Sequence, residues 1–312
     1  MSDRFFFHPL SRRRVLIGAI AALPAAYAWP APAVRERSAA AEHIAALEKT
    51  LGGRIGVAAL DIGANLRVDY RSTELFALCS TFKLLLVALI LARVDSGREV
   101  LTRRLAYGRA DMLEYAPITA RHVDEGAMSV AELCAAALQY SDNTAANLLL
   151  ASCGGPAALT QYLRSLGDTV TRLDRIEPEL NNAVDGDPRD TTSPAAMLGA
   201  MQKILLDDAL STAARERLQR WLEGNTTGDA RLRAGLPKEW RIGDKTGTGE
   251  NGATNDVAIA FPAAQKSESP ARPPVLIAVY CAGSTAGLAE RNAAIAQIGR
   301  IVAARFSSGR YA

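Results

Sequence analysis

Alternating, β-type sequence stands at both ends of this chain and helical periodicity fills the middle, an arrangement that leaves few folds open. Near the start, residues 57–61 and 66–70 alternate around Gly63-Ala64-Asn65 and read as a hairpin. Near the end, residues 240–248, 254–261 and 275–280 read as three more strands. A helix over 38–51 that stops at Gly52-Gly53 precedes the first strands, and an amphipathic helix over 288–306 follows the last. Between them the pattern is mainly helical: 80–93, 129–139 behind a capping box of Ser129 and Glu132, 143–151 before Gly154-Gly155, 156–166 before Gly167, and a further helix opened by Ser193-Pro194. The expected fold is therefore α/β of the α+β type with two lobes. A mostly antiparallel sheet, flanked on one face by the first and last helices, is built from 38–75 and 223–312, and an all-α lobe from 76–222. The junction of the lobes is the default place for a site.

Over 172–190 the periodicity fails for longer than an ordinary connection allows, which predicts a functional Ω loop. The stretch 262–274 reads as a low-complexity connection. Residues 1–33 differ in kind from the rest. Arg12, Arg13 and Arg14 precede a short apolar run, then small residues around 28 and 33, as in an export signal cleaved near either point. The run is too short to span a bilayer, so the mature protein is expected without a membrane span, periplasmic or secreted. Ser11-Arg12-Arg13 suits the twin-arginine route, and the basic segment also serves the general route.

Charge and rare residues then exclude several functions. The formal charge of +3 is accounted for by Arg4, Arg12, Arg13 and Arg14 against Asp3 in that leader, so the remaining surface is balanced and nucleic acid is not an expected partner. His43 and His122 are the only histidines beyond the leader, which argues against a Ser-His-Asp triad and against a multi-histidine metal site. No metal or other cofactor is expected. Cys79, Cys134, Cys153 and Cys281 lack metal-type spacing and read as small buried thiols.

Four short segments carry chemistry. Ser80-Thr81-Phe82-Lys83 puts a hydroxyl at the start of an apolar helix and an amine one turn on, on the same face. Serine needs a neighbour to take its proton, and a lysine can do so where its ammonium form is disfavoured. Ser141-Asp142-Asn143 lies between two helices, where side chains can turn into a cleft. Glu177-Pro178-Glu179-Leu180-Asn181, inside the long loop, offers a carboxylate and a carboxamide able to hold and deprotonate one water, with Arg175 and Asp190 placed to clamp the loop. Lys245-Thr246-Gly247-Thr248 supplies a cation, two hydroxyls and a glycine along a strand. Gly247 to Gly252 also fits G-x-G-x-x-G, but a strand and not a helix follows it, which rejects a dinucleotide site.

In this order and at these separations the four segments resemble the class A β-lactamases, whose motif set is a standard one. The resemblance implies hydrolysis of penicillins and cephalosporins, with antibiotic resistance as its result and monomer as the expected state. It implies Ser80 as the acylated nucleophile, Lys83 as its neighbouring base, and the N–H groups of Ser80 and Thr248 as an oxyanion hole. Ser141 is implied to relay a proton to the leaving nitrogen, and Glu177 with Asn181 to position the hydrolytic water; either Lys83 or Glu177 takes the proton in acylation. Asn143 would hold the acylamido group, Lys245, Thr246, Thr248 and Arg231 the substrate carboxylate, and Tyr115 the wall of the cleft. Cys79 resembles one partner of a disulfide in carbapenem-hydrolysing members, but Gly249 stands at the other; Cys134 has Val87 opposite it, so neither family disulfide is expected. Two rivals share part of the pattern: a penicillin-binding peptidase, and a non-enzymatic β-lactam sensor. Glu177 with Asn181 is the feature that distinguishes a hydrolase from both.

Overall fold

A computed structural model describes residues 39–263 and 272–308. The expected leader and residues 264–271 of the low-complexity connection lie outside the described residues. Helix α1 (Ala39–Leu51) leads into β1 (Arg54–Asp61) and β2 (Leu66–Tyr70), then a two-residue strand β3 (Phe76–Ala77), a 3-10 turn Cys79–Thr81 and α2 (Phe82–Asp95). The short strands β4 (Arg104–Ala106) and β5 (Ala127–Ser129) pair before α3 (Val130–Gln139), α4 (Asn143–Cys153) and α5 (Gly155–Ser165). After the long loop come β6 (Thr191–Thr192), α6 (Pro194–Leu205), α7 (Thr212–Glu223) and the single turn α8 (Leu232–Gly235). Strands β7 (Arg241–Thr248), β8 (Thr254–Phe261) and β9 (Val275–Ala282) and helix α9 (Leu288–Ser308) complete the chain.

The five long strands form one antiparallel sheet in the order β2-β1-β9-β8-β7, so the two ends of the chain meet where β1 pairs with β9. That pairing is what the split β sequence required. One face is covered by α1, α8 and α9: Ile44, Leu232, Ile295, Ile298, Val302 and Phe306 pack on Ile55, Val57, Ile277 and Val279. The other face meets α6 and, beyond it, the helical cluster.

At the centre of that cluster stands α2. Its residues from Phe82 to Leu91 are all buried, so it has no polar face to offer water, and α3, α4, α5 and α7 pack around it. An apolar helix of this kind carries its own N-terminus into the interior, and with it Ser80 and Lys83. Helix α3 is capped by Ser129 and Glu132 as expected, and Ser193 caps α6. Ser80 does not begin the α-helix itself, as the sequence suggested. It sits in the preceding 3-10 turn, because Cys79 has φ +43° and breaks the helical path one residue before it.

Candidate active site

The turn bearing Ser80 is held from three sides. Leu78 N–H donates to Asp190 O at 2.8 Å, Thr81 Oγ1 to Leu78 O at 2.6 Å, and Asn255 Nδ2, from β8, to Ala77 O at 2.9 Å. Strand β7 runs alongside, and a Cβ on Gly247 would come within 3.0 Å of Leu78 O, so only glycine lets the strand approach this closely. Left-handed backbone at a non-glycine residue is costly, and it occurs both at Cys79 and at Ser141, where φ is +59°. These two of the seven such positions among the described residues fall in the turns that carry Ser80 and Ser141.

Lys83, wholly buried, reaches into the space the two strained turns enclose. Its Nζ donates to Asn143 Oδ1 at 2.6 Å, Ser141 O at 2.8 Å and Ser80 Oγ at 3.0 Å, and lies 2.9 Å from Glu177 Oε1. Burial holds this amine below the usual lysine range, while the adjoining carboxylate acts in the opposite direction. Ser141 Oγ lies between two amines, 3.4 Å from Lys83 Nζ and 3.0 Å from Lys245 Nζ. Asp142, which alone reads as an ordinary cap, does more: it caps α4 through Ala145 N–H and also accepts from the backbone N–H groups of Ile118 and Thr119. It thereby fixes the loop of Tyr115, whose carbonyl accepts from Asn143 N–H at 3.0 Å.

Glu177 comes from the Ω loop yet is 1% exposed. Ser80 Oγ–H donates to its Oε1 at 3.3 Å, and Asn181 Nδ2 donates to its Oε2. Asn147 of α4 holds the backbone from the other side, donating to Glu177 O at 2.8 Å and accepting from its N–H at 3.0 Å. The loop is closed by Asp190, which accepts from Arg175 Nε at 2.5 Å and from the backbone N–H groups of Asp174 and Arg175 at 2.7 and 2.9 Å. A Cβ on Gly249 would lie 2.6 Å from Asn181 O and 2.7 Å from Cys79 Sγ, so the loop, the turn bearing Ser80 and the end of β7 touch there. Cys79 is a free thiol, pushed up to about 12 chiefly by burial.

A cavity of about 350 Å³ opens over these groups and is lined by Ser80, Tyr115, Ser141, Asn143, Asn181, Arg231, Thr246 and Thr248, together with Thr227. Tyr115 is half exposed at its edge, and Lys83, Glu177 and Lys245 lie beneath. All the expected site residues thus converge, with Arg175 and Asp190 bracing the loop from behind. A larger cavity of about 640 Å³ lies on the far side of the loop, where each charged wall group is already paired, so volume alone does not identify the working cleft.

One side of the smaller cavity is cationic. Arg231 donates to Gly247 O at 2.9 Å, Asn255 O at 2.7 Å, Thr248 Oγ1 at 2.7 Å and Asn292 Oδ1 at 2.9 Å. Lys245 Nζ lies below, and Thr246 Oγ1 is 2.5 Å from Thr227 Oγ1. Such a set suits an anionic substrate group. Asn147, Thr227 and Asn292 were not anticipated, since each is a single polar residue outside any motif. Among the described residues no group of three or more His, Cys, Asp or Glu is arranged to hold a metal, and no helix is long and apolar enough to cross a membrane.

Complete burial and the neighbouring Lys83 push Lys245 down to about 7, with Arg231 acting the same way and Asp244 and Asp256 opposing. A cation is what binds a carboxylate, so kcat/KM for an anionic substrate is expected to fall as pH rises through about 7 in the free enzyme. The corresponding limb in kcat lies higher, because a bound carboxylate retains the proton. In Lys245→Arg the limb should move up beyond the measurable range, since arginine stays protonated. A basic limb unmoved by that substitution would assign it to another group.

Comparison with known proteins agrees with this geometry. The model of the Beta-lactamase enzyme family matches residues 39–306. Beta-lactamase Toho-1 of Escherichia coli is 46% identical over 252 residues, 81% of this chain and 86% of that protein. Beta-lactamase L2 of Stenotrophomonas maltophilia is 45% identical over 262 residues, 84% of each chain. Among solved structures, the class A β-lactamase of the last common ancestor of Gram-negative bacteria is 57% identical, with a TM-score of 0.82 over 86% of this chain and all of that one. A serine, two buried amines and a loop carboxylate around one cleft, within a fold and sequence this similar, make the chain a member of the class A serine β-lactamases.

Proposed function

We propose that the chain hydrolyses the β-lactam amide of penicillins and cephalosporins through an acyl-enzyme on Ser80, and so confers resistance to them. The observation that carries this reading is the buried Glu177 carboxylate 3.3 Å from Ser80 Oγ, with Asn181 beside it. The acceptors around Lys83 Nζ favour its ammonium form against the effect of burial, which favours Glu177 as the group that takes the Ser80 proton. Ser80 Oγ then bonds to the lactam carbonyl carbon, and the oxyanion is received by the N–H groups of Ser80 and Thr248. As the C–N bond breaks, the nitrogen takes its proton from Ser141, Lys83 resupplies Ser141, and Glu177 returns the Ser80 proton to Lys83, which leaves Glu177 ionised again. Water held by Glu177 and Asn181 then gives its proton to the restored Glu177 carboxylate and attacks the acyl carbon, and Glu177 passes that proton to Ser80 Oγ as the ester bond breaks. Asn143 and Asn181 orient the acylamido side, Tyr115 walls the cleft, and Lys245, Thr246, Thr248 and Arg231 bind the carboxylate.

The same reading takes 38–75 with 223–312 and 76–222 as the two lobes that meet at this cleft. It takes residues 1–33 as a cleaved export signal, possessing a twin-arginine pair, for a monomeric periplasmic or secreted enzyme. Multiple turnover of a chromogenic cephalosporin, unaffected by a chelator, is the expected result. Arrest after one equivalent would instead indicate a peptidase or a sensor.

A further inference from the structure

Two aspartates that the reaction does not use lie behind the substrate-binding strand. Asp244 precedes Lys245 on β7, and Asp256 lies on β8; the register pairs Asp244 with Ala258 and Thr246 with Asp256. The two are therefore diagonal neighbours on one face of the sheet. Both are wholly buried, and their carboxyls are within hydrogen-bonding reach of each other. Asp244 accepts from Arg233 Nε at 2.5 Å and from Asn225 Nδ2 at 2.7 Å. Asp256 Oδ2 accepts from Leu232 N–H at 3.0 Å, but its Oδ1 has no N–H or O–H partner among the described residues.

An oxygen left without a donor beside a second buried carboxyl is satisfied if one proton is shared between the two groups. Two full negative charges here would be met in direct contact by a single guanidinium, that of Arg233. Burial raises both above the usual carboxylate range, against the pull of Arg233 and Asn225 at Asp244, and Asp244 raises Asp256 further, in agreement with that count.

The partners of the pair are consecutive in the chain. Leu232 is bound through its N–H to Asp256, Arg233 through its side chain to Asp244, and the residue just before them, Arg231, turns the other way to reach Thr248 Oγ1 at the cavity. We propose that the Asp244–Asp256 pair, joined by one proton, is the positioning element that anchors the backbone of this turn and so aims Arg231 at the substrate carboxylate. Asn292 and the carbonyls of Gly247 and Asn255 steady the guanidinium itself, and the aspartates fix where its backbone starts.

This rests on Arg231 being a carboxylate binder, which Arg231→Ala tests alone: its KM for benzylpenicillin should rise, and an unchanged KM would remove the basis of that reading whatever Asp256 does. Asp256→Ala should raise KM for benzylpenicillin about tenfold with kcat within about twofold, as expected for a lost interaction that orients binding and not chemistry. The methyl ester of benzylpenicillin, which lacks the charge, should be unaffected by that substitution. Combined with Arg231→Ala, Asp256→Ala should add nothing further. Asp256→Asn preserves the acceptor for Leu232 N–H and supplies an N–H in place of the shared proton, so it should keep the wild-type KM. The Asn variant retains the shape of the site and decides the matter by itself where the Ala variant does not fold. A KM raised in Asp256→Asn toward that of Arg231→Ala, an additive double variant, or an equal effect on the ester would each overturn the proposal.

Discussion

Glu177→Ala is expected to consume about one equivalent of a β-lactam and then stall, with the intact substrate mass added to the protein and turnover lowered by about 10²–10⁴-fold, the usual worth of a general base. The asymmetry follows from the geometry around Lys83. Glu177 is the carboxylate that favours the charged form of this buried amine, so its removal lets Lys83 lose its proton more readily and serve acylation in its place. Nothing comparable replaces Glu177 at the water, because Asn181 is the other group holding that position and has no basic atom. Mass spectrometry of the variant after mixing, with Ser80→Ala as a control that takes up no mass, checks both halves. An unmodified Glu177→Ala protein with wild-type turnover would remove Glu177 from the mechanism.

The second large effect concerns the loop that carries this acid. Asp190→Ala leaves the Arg175 guanidinium and the N–H groups of Asp174 and Arg175 without their acceptor in a site where the carboxylate is 1% exposed. Breaking a buried pair from one side costs about 3–5 kcal/mol. For a domain of this size that is a melting point lower by roughly 10 °C. Turnover should fall as well, since the same contacts fix where Glu177 stands. Arg175→Ala should be milder, because Asp190 keeps its two backbone donors. Thermal denaturation and steady-state kinetics of the two variants check the order, and equal losses would mean that the side-chain pair and not the backbone bonds holds the loop.

Much of this was legible from the sequence because it rests on periodicity or on local motifs. The five sheet strands match their alternating segments to within a few residues, and β1 meets β9 because split strands had to find each other. The loop was visible as a failure of period. Features that depend on contacts between distant residues left no local trace. The 3-10 turn at Ser80 arises from the left-handed Cys79, and no sequence rule places a cysteine in that conformation. The pairs β3 with β6 and β4 with β5 are two or three residues long, too short for an alternation to register. Asn147 grips Glu177 across 30 residues, and Asn292 meets Arg231 across 61, so each looks like an unremarkable polar residue until the chain is folded.

The most direct test of the whole account is a crystal structure of Glu177→Ala soaked with a penicillin. The account predicts continuous density from Ser80 Oγ to the former lactam carbonyl carbon, the acyl oxygen between the N–H groups of Ser80 and Thr248, and the substrate carboxylate against Lys245 and Arg231. Density joined to any other side chain, or an intact ring lying in the cleft with Ser80 free, would contradict it.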